Sequence, residues 1–210
     1  MNLYVVGDSI SIHYGPFLEK QLSCVMGYAR KEGAKEDLDN PNGANGGDSS
    51  MVLEYLREKA ASGGIDADLL LVNCGLHDIK THPETRDIQV SIEDYAKNLC
   101  AIIELAATMK PQLIWIRTTP LDEEIHNANG VGFQRYNADH GAYNRVADKV
   151  MTKANIPVID LHSFTANLGP DLYIDHVHFP ESIREKQAAY IAGWLDAYRA
   201  NFIKQIENHG

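Results

Sequence analysis

Cysteine is scarce in this chain, with three in 210 residues at Cys24, Cys74 and Cys100. Three scattered cysteines make neither a disulfide framework nor a zinc site. Positive charge is also in short supply: 19 Lys and Arg face 29 Asp and Glu, a formal charge of −10. A surface of that sign repels phosphate backbones and anionic lipid, so neither a nucleic acid nor a membrane is expected as a partner. No apolar run approaches the roughly 18–20 residues that a membrane span requires. The opening residues Met1-Asn2-Leu3-Tyr4-Val5-Val6-Gly7 lack the basic stretch, apolar segment and cleavage site of a signal peptide. A cytoplasmic location is therefore the expectation. Repeats, low-complexity tracts and linker-like composition shifts are missing as well, so residues 1–210 are expected to form one domain.

What is present begins with short, continuous apolar runs: Leu3–Val6, Leu69–Cys74, Gln112–Arg117 and Ile156–Asp160, with a weaker one around Ser23–Ala29. Runs that do not alternate with polar residues suit strands buried on both faces, as in a parallel sheet. Helical patterns fall between them. Ser91-Ile92-Glu93-Asp94 has the form of a capping box, followed by Ile92, Tyr95, Leu99, Ile102, Ile103 and Ala106 at helical spacing. Tyr136–Ala154 carries Tyr143, Val146, Ala147, Val150 and Met151 on one stripe, and Ser50–Ala61 is a shorter candidate. Glu181–Ile206 carries Ile191, Trp194, Leu195, Tyr198, Phe202 and Ile206. Strands alternating with helices predict an α/β domain, a doubly wound parallel sheet of about five strands flanked by helices. Two long polar stretches remain, Lys31–Ser49 and Leu121–Arg135, and loops of that length in a compact domain are usually functional.

In open α/β sheets ligands bind beyond the carboxyl ends of the strands, which directs attention to the residues after each run. The first run exits into Gly7-Asp8-Ser9-Ile10-Ser11. That is no Gly-x-Gly-x-x-Gly, which excludes a Rossmann-type dinucleotide binder. Ser9 there is either an ordinary turn residue or a serine whose hydroxyl faces solvent. Near the other end, Asp175-His176-Val177-His178 puts a carboxylate and an imidazole three residues apart, where Asp175 can hold the His178 Nδ1–H and leave Nε2 as a base. Gly46-Gly47-Asp48-Ser49 ahead of a helix and Gly75-Leu76-His77-Asp78 after the third run can bring backbone N–H groups close to a ligand, or be structural turns.

Taken in order, these four blocks resemble the SGNH (GDSL-type) serine hydrolases, over Tyr4 to Pro180. The resemblance implies a flavodoxin-like SGNH hydrolase fold, Ser9 as nucleophile, His178 as base and Asp175 as its partner. It implies an oxyanion hole built from the Ser9 and Gly47 N–H groups and the third-block side chain. That block departs from the family pattern, because His77 stands where the family has Asn. A neutral imidazole has one N–H to donate, so it can fill the role in one tautomer only. The implied reaction is ester hydrolysis through an acyl-enzyme, with no cofactor and no metal. The polar Leu121–Arg135 stretch favours a short acyl group, such as acetyl on a sugar, over a long lipid chain.

Asp8 and Asp78 are expected to brace their own turns, Cys74 to sit in the core, and His176 to lie beside the catalytic pair. Tyr14, Phe133, Arg135 and Tyr136 either line a substrate cleft or pack. Two other readings stay open. In one, His77, Asp78, Asp175, His176 and His178 gather around a metal ion and the protein is a metal-dependent hydrolase. In the other, the same fold is a non-catalytic carbohydrate-binding domain.

Overall fold

The computed structural model describes residues 1–34, 38, 40–130 and 132–207, with residues 201–207 described by their backbone alone. The apolar runs form β1 (Asn2–Val6), β2 (Gly27–Arg30), β3 (Leu69–Val72), β4 (Gln112–Ile116) and β5 (Val158–Ile159). All pairs are parallel and the order is β2-β1-β3-β4-β5, the doubly wound arrangement expected. Every residue of β3 is buried, which is why its run is continuous. The helices are α1 (Ser9–Leu22), α2 (Ser49–Ala61), α3 (Ile92–Ala106), α4 (Glu123–Ala128), α5 (Asn137–Lys153), α6 (Leu161–Ala166) and α7 (Glu181–Glu207). Helix α7 packs on α1 and α6, while α3 packs on α2 and α5. With the usual right-handed crossovers, the step from β1 outward to β2 puts α1 on one face, and the reversed steps from β2 past β1 to β3, β4 and β5 put α2, α3 and α5 together on the other. Among the described residues no helix is long and apolar enough to cross a membrane.

The α3 cap is as expected: Ser91 Oγ accepts the Asp94 N–H at 3.1 Å. Tyr95, Leu99, Ile102 and Ala106 of α3 and Tyr143, Ala147 and Met151 of α5 are buried. In α7, Ile191 and Leu195 are buried, whereas the Phe202 and Ile206 side chains lie outside the described residues. Three differences have physical causes. The weak strand starts at Gly27 rather than Ser23, because α1 runs on to Leu22, whose carbonyl takes the N–H groups of both Val25 and Met26. Helix α1 itself, with Ile10, Tyr14, Leu18 and Leu22 inward, is interrupted in sequence by Gly15 and Pro16 and shows no obvious stripe. Finally, the Leu121–Arg135 stretch contains α4, six residues long and started by the Asp122 side chain on the Ile125 N–H at 2.9 Å.

Two cations at the end of β2 hold the first polar stretch, of which residues 35–37 and 39 lie outside the described residues. Arg30 Nη2 donates to the Ala44 carbonyl at 3.0 Å and to Ser11 Oγ at 3.2 Å. Lys31 Nζ donates to the carbonyls of Pro41 (2.9 Å), Gly43 and Asn45 (2.8 Å). An ammonium has three protons, so Lys31 spends all of them on one loop. Lys31→Met keeps the stem but strands these buried carbonyls, and should lower the unfolding free energy by roughly 2–4 kcal/mol. Urea unfolding measures this, and a loss below about 0.5 kcal/mol would remove the clamp role.

Burial drives the imidazoles of His13, His126 and His140 down to about 4, and holds His77 and His162 below the usual 6.5. Unfolding releases these groups to take up protons, so their contribution to stability is present above pH 6.5 and is lost as pH falls toward 4. Burial also raises the Asp8 carboxyl and pushes Asp78 up to about 7, which works in the opposite sense. Five imidazoles outweigh two carboxylates. The urea midpoint should therefore be lower at about pH 5 than at about pH 7. A midpoint equal or higher at the acid pH would contradict this balance.

Candidate active site

Ser9 is the first residue of α1, immediately after the cap residue Asp8, whose Oδ1 accepts the Ile10 N–H at 3.0 Å. Asp8 thus braces its own turn, as expected, and the helix leaves the Ser9 N–H unpaired, as helices leave their first N–H groups. From the far end of the chain, His178 Nε2 lies 2.9 Å from Ser9 Oγ. His178 Nδ1 lies 2.7 Å from Asp175 Oδ2. Asp175 Oδ1 accepts the backbone N–H groups of Val177 (2.9 Å) and His178 (2.7 Å), closing the turn that carries both residues. Burial alone would raise the Asp175 carboxyl, but these N–H groups and the imidazole outweigh it and hold it down to about 2. An ionised carboxylate only accepts, so the His178 proton is on Nδ1 and Nε2 receives the Ser9 hydroxyl proton. The expected three residues are brought together in hydrogen-bond contact.

The expected oxyanion donors fare differently. Gly47, at φ +73, precedes the α2 cap Asp48, and a Cβ there would lie 2.5 Å from Met51 Sδ, so only glycine fits. Its N–H is not free, however: it donates to Asn45 Oδ1 at 2.7 Å. The donor expected at Gly47 is thus engaged here by a side chain two residues away. His77 is buried, and burial, Lys80, Arg135 and His178 together keep its imidazole well below 6.5, hence neutral. Its Nε2 lies 3.4 Å from Asn45 Nδ2. The turn bearing His77 starts at Gly75, φ +147, where a Cβ would meet Thr118 Oγ1 at 2.7 Å.

Asp78 Oδ1 accepts the Ser49 N–H at 2.9 Å, so it also ties the third block to the start of α2. Arg135 Nε donates to the Leu76 carbonyl at 2.6 Å, supporting the same block. Tyr14 is in the core, and Tyr136 precedes α5 with its hydroxyl on Gln134, so neither is a cleft residue by these contacts. The cations of Lys80 and Arg135 lie over the Phe133 ring, 4.6 and 4.8 Å from its centroid. Cys74 is buried and its thiol pushed up by burial, which suits a core residue. His176 lies beside the site, its Nδ1 2.8 Å from His126 Nδ1. The metal reading fails on this geometry: among the described residues no three His, Cys, Asp or Glu side chains converge as ligands. Asp78 is turned to α2, His176 to His126, and Asp175 and His178 to each other. Sequence reasoning missed Asn45 and His13. The His13 ring packs edge-on against His178 with centroids 4.8 Å apart, and its position one helical turn after Ser9 was the available signal.

The sequence matches the family model of the GDSL-like lipases/acylhydrolases over residues 5–182. No curated protein matches it. Solved structures with the same fold include a lipase/acylhydrolase from Enterococcus faecalis, 17% identical with a TM-score of 0.69, covering 94% of this chain and 96% of that one. A carbohydrate acetylesterase from Sinorhizobium meliloti is 14% identical with a TM-score of 0.62, covering 94% of this chain and 99% of that one. A GDSL-like lipase from Bacteroides thetaiotaomicron is 14% identical with a TM-score of 0.65, covering 94% and 88%. With the matched residues spanning the first strand to the start of the last helix, this chain belongs to the GDSL-like lipase/acylhydrolase family.

Proposed function

We propose that the enzyme hydrolyses short-chain acyl esters, acetyl esters of sugars or similar small polar alcohols foremost, through an acyl-Ser9 intermediate. The observation that carries this reading is the unbroken hydrogen-bond chain from Ser9 Oγ through His178 to Asp175. Ser9 Oγ attacks the ester carbonyl carbon as its proton passes to His178 Nε2. The carbonyl oxygen becomes an oxyanion, received by the Ser9 N–H and the His77 imidazole N–H. Collapse breaks the bond to the alcohol oxygen, which takes the proton from Nε2 and leaves. Water then attacks the acyl carbon, gives a proton to Nε2, and a second collapse returns that proton to Ser9. Asp175 stays ionised throughout and stabilises the imidazolium.

The acyl length rests on the polarity around the site. The large hydrophobics exposed among the described residues are only Met1, Val25, Met51, Ile125 and Ile174, few for the apolar surface a long chain needs. The likeness to a carbohydrate acetylesterase agrees with a sugar alcohol.

A fluorophosphonate should add once, on Ser9, as read by intact mass and peptide mapping, and Ser9→Ala should take no label. Absence of an adduct on folded protein would put a binding-only domain ahead of an esterase. Across a panel from acetyl to octanoyl esters, kcat/KM should be highest at acetyl; a maximum at octanoyl would refute the short-chain assignment. His77→Ala should lose roughly 100- to 1000-fold in kcat, the usual effect of one oxyanion donor, with His77→Asn retaining far more. Wild-type turnover in both variants would remove His77 from the hole.

A further inference from the structure

Asn45 has no exposed surface and touches both unusual parts of the oxyanion region. Its Oδ1 accepts the Gly47 N–H at 2.7 Å, and its Nδ2 donates to the Leu38 carbonyl and faces His77 Nε2 at 3.4 Å. The orientation of the carboxamide is decided by these neighbours. A backbone N–H requires the oxygen on one side, and a backbone carbonyl requires the NH2 group on the other. His77 Nε2 therefore meets an N–H donor, and can only be the unprotonated nitrogen. Burial keeps the ring neutral, so its single proton is on Nδ1. Among the described residues Nδ1 has no hydrogen-bond partner, and it is not one of the fully buried unpaired polar atoms, so it keeps contact with solvent. Nδ1 is also one bond beyond Cγ, as the amide nitrogen of an asparagine would be.

We propose that Asn45 is a positioning residue of the oxyanion hole, pinning Gly47 with its oxygen and selecting the Nδ1–H tautomer of His77 with its nitrogen. This rests on the esterase reading for its catalytic consequence, but not for the tautomer itself. The amide makes His77 an effective replacement for the family's Asn: a neutral donor, one N–H, in one place. The loop carrying Asn45 is in turn held by Lys31, which takes the Asn45 carbonyl at 2.8 Å.

The direct test is long-range ¹⁵N–¹H correlation NMR of the His77 ring near neutral pH. The wild type should show a neutral ring protonated at Nδ1, and a ring protonated at Nε2 would overturn the proposal without any substrate being needed. Asn45→Ser is the companion variant, because a serine hydroxyl can still accept the N–H two residues on while nothing faces His77. It should shift the tautomer toward Nε2–H and lower kcat by roughly 10- to 100-fold, with KM changed by less than about threefold. In a His77→Asn background the same change should cost less than about threefold in kcat. Equal losses in both backgrounds would make Asn45 a loop residue only. Should the wild type turn over no ester at all, the esterase reading falls, and the NMR result still decides the tautomer.

Discussion

The parallel register between β1 and β3 is the constraint from which the site is built. Val6 stands opposite Val72, and the Val6 carbonyl takes the Asn73 N–H at 3.0 Å. The chain therefore leaves both strands at the same level, into the Ser9 turn on one side and the His77 turn on the other. The second block is fastened to the same edge, since the Gly7 carbonyl accepts the Gly46 N–H at 2.9 Å. Slipping one strand by a residue would turn its side chains to the opposite faces and move its exit by about 3.3 Å, taking the blocks out of level. The precision of the site is thus inherited from the most buried part of the sheet.

Beyond that edge, backbone groups no longer satisfy one another, and side chains take over. Asp8 and Asp48 start the helices behind Ser9 and Gly47, Asp78 crosses to the second of these helices, and Arg135 holds the Leu76 carbonyl. Lys31 and Arg30 perform the same service for a loop with little regular structure. The cost is a set of buried ionisable groups, several held away from their ordinary protonation. Neutral His77 fits this pattern: removing it from water disfavours its charged form and leaves an uncharged donor, which is what an amide would have been.

The fold was legible because its strands are continuous apolar runs and its longer helices, α1 excepted, have clear stripes. The short helices α4 and α6 were not, since six residues give no period to detect and their caps, Asp122 and Asp160, resemble any polar turn. Ser9, Asp175 and His178 could be named because each stands in a local motif at a strand exit or turn. Asn45 could not: nothing in Ala44-Asn45-Gly46 says that its side chain folds back onto Gly47 or meets a residue 32 positions on. The reach of Asp78 to α2 was hidden for the same reason. Its partner, Ser49, is 29 positions earlier, and a motif reading favours neighbours.

The pair Ser9 and His178 is separated by 169 positions, so the serine leaves the ribosome well before the histidine it meets. The strands β1 to β4 and the loop around Gly47 can all be complete while the serine is still inert, because no proton acceptor has yet been made. Reactivity then arrives with the Asp175–His178 turn and the docking of α7 on α1. On the function proposed above, a chain still short of that turn attacks no ester. The chemistry is withheld until the scaffold that must restrain it has already folded.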